Sequence, residues 1–128
     1  MSYYFSKTLD VGIEEASEHV TTALKEQGFG ILTEIDIKAT LKNKLDVDFR
    51  PYRILGACNP PFAYQALQAE KNIGLMLPCN VIVQEVEPGR TEVAAVDPIA
   101  SMQAIENPAL GEVAVEVQRR LREVIEGL

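Results

Sequence analysis

Cys79-Asn80-Val81-Ile82-Val83-Gln84-Glu85-Val86-Glu87, followed by Pro88-Gly89 and then by Arg90-Thr91-Glu92-Val93-Ala94-Ala95-Val96-Asp97, is the stretch that decides the fold. Two runs rich in valine flank a Pro-Gly dipeptide, the pattern of two strands joined by a tight turn. A hairpin makes at least part of any sheet antiparallel. Downstream, Leu110, Val113, Ala114, Val117, Leu121, Val124, Ile125 and Leu128 recur at helical spacing after an Asn107-Pro108 cap. A long amphipathic helix of this kind needs a sheet to cover.

Working back toward the start, Tyr52 to Cys58 is apolar on both faces and begins after Pro51, as a central strand would. Asn59-Pro60-Pro61 then reads as a helix entry with Asn59 as the cap, continued by Ala63, Ala66 and Leu67. Phe29, Ile31, Thr33 and Ile35 alternate with Gly30, Leu32 and Glu34, which predicts a strand ending near Asp36. Asp36 caps a short helix in which Ile37, Thr40, Leu41 and Leu45 share a face. Residues 3–9 form a first strand, and Asp10 suits the cap of a helix carrying Ile13, Ala16, Val20, Ala23 and Leu24, stopped at Gly28. The order predicts one α+β domain over residues 1–128. Its architecture is a two-layer sandwich: a five-stranded, mainly antiparallel sheet with the long N- and C-terminal helices on one face.

At 128 residues, with 47% apolar and 24% charged, the chain has the balance of a globular domain. A formal charge of −7 opposes nucleic acid binding, which needs clustered cations. Lys38, Lys42, Lys44, Arg50 and Arg53 do gather in one segment, but Asp36, Asp46 and Asp48 dilute them into a mixed-charge solvated face. No apolar run approaches the roughly 20 residues of a membrane span. Met1 to Lys7 lack the basic and apolar regions of an export signal. The expectation is a cytoplasmic protein with no membrane partner, whose Cys58 and Cys79 remain free thiols.

Three segments, Gly28-Phe29-Gly30-Ile31-Leu32-Thr33-Glu34-Ile35-Asp36, Arg53-Ile54-Leu55-Gly56-Ala57-Cys58-Asn59-Pro60 and Leu77-Pro78-Cys79-Asn80-Val81, closely resemble the domain-of-unknown-function family 302. Val96-Asp97-Pro98 and the terminal helix extend the resemblance. It implies a curved sheet against helices, similar to the TATA-binding-protein-like arrangement, and a homodimer. It implies no established reaction, leaves any cofactor unknown, and fold similarity does not replace a site.

Cys58-Asn59 and Cys79-Asn80 repeat one dipeptide beside prolines at two predicted strand ends. If those strands are neighbours, all four residues face one pocket, and small-ligand binding near the two pairs is the leading reading. Two other classes stay open: a thiol-dependent enzyme or carrier in sulfur or redox chemistry, and a structural homodimeric subunit. Against all three stands plain packing, with both cysteines as small buried groups and Asn59 as a cap. Asn80 has no such explanation at a strand start. An intrachain zinc site is not expected, because no Cys-x-x-Cys spacing occurs and His19, the one histidine, sits on a helix flank. Glu34, Asp36 and Glu85 or Asp97 have the chemistry for acid/base work, but Asp36 reads as a cap and Asp97 as a turn residue. Gly28 and Gly30 precede a strand, whereas a phosphate loop follows one.

Overall fold

The computed structural model describes residues 2–128. The strands are β1 (Tyr4–Leu9), β2 (Gly30–Asp36), β3 (Tyr52–Cys58), β4 (Cys79–Glu87) and β5 (Arg90–Val96). The helices are α1 (Ile13–Glu26), α2 (Ile37–Leu45), α3 (Pro60–Ala69), the single turn α4 (Pro98–Ser101) and α5 (Pro108–Glu126). A short 3-10 turn at Ile73–Met76 precedes β4. All strands pair antiparallel in one sheet of order β1-β5-β4-β3-β2. The β4–β5 hairpin turns at Gly89, whose φ of +74° suits a residue without a side chain.

Strand alternation gives the sheet two different faces. On β4, Cys79, Val81 and Val83 are buried toward the helices, while Asn80, Ile82 and Gln84 point the other way. α1 lays Ile13, Ala16, Val20 and Leu24 on the helical side, and α5 adds Val117, Leu121, Val124 and Ile125 to the same core. Burying each valine, leucine or isoleucine among them contributes about 1.5–3 kcal/mol, so these two stripes hold the layers together. A second, smaller cluster of Ala66, Ile73 and Leu110 lies under α3 and the start of α5.

Three local readings change in the folded chain. Asp10 does not cap α1: Gly12 holds the cap position, and Glu85 Oε1 on β4 accepts the Ile13 amide at 2.8 Å. The cap therefore comes from across the sheet and also ties the helix to it. The alternation of β2 breaks at a bulge between Ile31 and Thr33. The extra residue flips the strand, so Thr33 and Ile35 turn away from the helices and Leu32 is left exposed. α2 has its Asp36 cap, accepting from Ala39 N at 2.9 Å, yet buries none of its residues.

Candidate functional site

β3 ends at Cys58 and β4 begins at Cys79, and the two strands are antiparallel neighbours in which Ala57 lies opposite Cys79. This register brings the first cysteine pair beside the second. A cleft of about 330 Å³ opens here, and Cys58, Asn59 and Cys79 line it. Asn80 does not. It is one residue on from Cys79 in a strand, so it projects from the opposite face, where it lines a separate shallow groove with Tyr4, Tyr52 and Ile82.

The cleft lies where two apolar clusters meet, with Val113 packed against both. Phe29, Ala57, Cys79 and Val117 belong to the main core, and Ala66, Leu77 and Met102 to the satellite under α3. Small side chains at Ala57, Ala63, Ala66 and Ala114 leave the intervening space open. Leu32 and Leu67 line the cleft while remaining 66% and 47% exposed, so they mark its mouth. None of Phe29, Phe62, Met102 or Ala114 reads as a site residue in the sequence, since each fits ordinary helix or core patterning. The one available signal is the run of alanines where a filled core would carry larger groups.

Asn59 stands at the first turn of α3 but does not cap it with its side chain. Instead Nδ2 donates to the Gln27 carbonyl at 3.1 Å, in the turn between α1 and β2. Arg120 Nη1 on α5 donates to the same carbonyl at 3.0 Å. The Arg120 guanidinium also lies 5.0 Å from the centre of the Phe62 ring and pairs with Glu116. Three helices and a turn are thus clamped behind the cleft wall. Gly28 is part of the clamp: its φ is +88°, and a Cβ there would come within 3.0 Å of Asn59 Nδ2.

Both thiols are free, Cys79 buried and Cys58 half-buried. Burial pushes the Cys79 thiol up to about 11, with a further rise from the neighbouring Cys58. Near neutral pH Cys79 is therefore a protonated, polarisable wall group and not a nucleophile. The carboxylates named as acid/base groups are all engaged elsewhere. Asp36 and Glu85 accept from helix amides, Asp97 accepts from Ile99 N and from Gln118, and Glu34 lies 3.8 Å from Arg53. Arg53 also pairs with Glu14, holding that carboxyl below its usual range through a hydrogen bond and charge attraction. His19 is exposed on α1, and no group of three or more His, Cys, Asp or Glu suited to a metal occurs among the described residues. No helix among them is long and apolar enough to cross a membrane.

The chain is similar, at 29% identity and a TM-score of 0.89 over 98% of each chain, to the crystal structure of an uncharacterized conserved DUF302 protein from Bacillus stearothermophilus. No curated protein matches it. The family described as domain of unknown function DUF302 matches residues 5–128. With nearly the whole chain matched, and with a sheet and helices arranged as in that neighbour, the protein belongs to the DUF302 family.

Proposed function

We propose that the protein is a binding domain for a small, mainly apolar molecule, held in the cleft beside Cys58, Asn59 and Cys79. The cleft itself carries this reading. Protein interiors pack to crystal-like density and leave few voids larger than a water, whereas ligand sites are concave, apolar and begin at about 300 Å³. This one is of that size, and Asn59 is the one amide among the side chains lining it. Thiolate chemistry is the weaker alternative, because the raised pKa of Cys79 removes the more buried of the two thiols from that work. A reducing cytoplasmic setting belongs to this reading and is supported by the two free thiols.

Native mass spectrometry of protein purified from its own source should find a retained small molecule. Titration with neutral N-phenylnaphthylamine should give saturable fluorescence enhancement. Ala63→Phe, which fills the cleft from α3, should remove both signals while leaving the circular dichroism unchanged. Undiminished dye binding in Ala63→Phe would move the ligand elsewhere.

We propose separately that the protein pairs as a homodimer, and a specific feature supports it. Tyr3, Tyr4 and Ile35 are 69%, 40% and 46% exposed, and β1 and β2 leave the outer edges of the sheet unpaired. Sedimentation at micromolar concentration that shows only a 14.1 kDa species would remove the dimer from the reading.

A further inference from the structure

Asn59 has bonding capacity that the protein itself leaves unused. The residue lines the cleft and is only 7% exposed. Its Nδ2 faces the Gln27 carbonyl, and because a carbonyl can only accept, that contact fixes which end of the amide is which. Oδ1 is left as the other end, and among the described residues no donor reaches it. It is not sealed away, since no side-chain oxygen or nitrogen closed off from solvent lacks a partner. The space that Asn59 borders is the cleft.

Among the other lining side chains, the only donors are the weak S–H groups of Cys58 and Cys79. Phe29, Phe62, Leu77, Met102 and Val113 are apolar, and no charged side chain lines the cleft. An ion entering would lose its hydration with no counter-charge to replace it. An entirely apolar ligand would cover an acceptor and leave it without a donor, which is the costly half of a hydrogen bond. Resting on the ligand-binding reading above, we propose that the cleft selects an uncharged, largely apolar molecule carrying a hydroxyl or N–H group that donates to Asn59 Oδ1.

The test uses three probes of one shape on the native chain: a naphthol, the methylnaphthalene with a methyl in place of the hydroxyl, and the corresponding naphthoate. The naphthol should bind about tenfold tighter than the methylnaphthalene, the factor expected for one hydrogen bond to an acceptor that either probe would cover. The naphthoate should bind more weakly than either. In Asn59→Leu the preference between the two neutral probes should disappear or reverse. Equal affinities for naphthol and methylnaphthalene on the native chain would overturn the donor requirement while leaving the binding reading standing. Tight binding of the naphthoate would overturn the requirement for an uncharged ligand. Failure of both neutral probes to bind would overturn the binding reading and this inference with it. The native-chain comparison decides the matter even if Asn59→Leu does not fold.

Discussion

Cys58-Asn59 and Cys79-Asn80 are the same dipeptide placed in opposite ways. In the second pair the thiol is buried and the amide is exposed; in the first the thiol is half-buried and the amide is buried. Position explains the inversion. Cys79 and Asn80 are successive residues inside β4, so alternation must send them to opposite faces of the sheet. Cys58 and Asn59 straddle the exit from β3 into α3, where the chain leaves the sheet and alternation no longer applies. A repeated dipeptide therefore gives a shared site only as far as the backbone lets it, and here it gives three of the four residues.

The thiols should differ most. With its pKa raised from 9.0 to about 11, Cys79 holds about a hundredfold less thiolate at neutral pH than an unperturbed thiol. Iodoacetamide labelling followed by peptide mass mapping should show Cys79 lagging an unfolded-chain control by at least that factor. The same shift links to stability. A folded pKa above the unfolded one means that the stabilising protonated form is fully present below about pH 9 and is lost as the pH climbs through about 11. Chemical denaturation should therefore show a loss of stability across that interval, smaller in Cys79→Ala. An identical slope in the variant would assign the loss to other groups.

That contrast also marks what the sequence could and could not carry. Element order, the hairpin and the α5 stripe all follow from periodicity, which is local, and the buried residues from Leu110 to Ile125 fall on the stripe read from spacing alone. The adjacency of β3 and β4 entered only as a condition on the site, and the pairing of the folded chain supplies it. The Asn59 contact was not, because its partner is a backbone carbonyl at Gln27, distant in sequence and carrying no residue signal. The Glu85 cap of α1 is hidden for the same reason, and the bulge at Leu32 turns on a register that only the partner strand defines. The cleft was least legible of all, since it is made by what alanines fail to fill.

Asn59→Ala tests the buried amide next. It removes one donor to Gln27 and leaves that carbonyl with Arg120 alone, which should cost about 0.5–1.5 kcal/mol in denaturant unfolding, the net worth of one hydrogen bond. Arg120→Met removes the other donor together with the contact to Phe62. The two losses should be non-additive, because both side chains serve one acceptor. Strict additivity in the double variant would mean that the clamp is two unrelated contacts.

Asn80 should show the smallest effect, and that smallness is informative. Its side chain is exposed on the groove face, it makes no hydrogen bond among those of the described residues, and surface substitutions of this kind usually change stability by no more than about 0.5 kcal/mol. Asn80→Ala should therefore leave both the unfolding midpoint and dye binding in the cleft where they were. A loss of dye affinity would reconnect the fourth residue to the site through the sheet and break the contrast between the pairs. Asn80→Arg sharpens it from the other side. If two copies meet across the face bearing Tyr4, Tyr52 and Ile82, a charge placed among them should weaken sedimentation of the dimer while cleft binding persists. An unchanged dimer in Asn80→Arg would direct the pairing to the strand edges and leave Asn80 as a solvated strand residue.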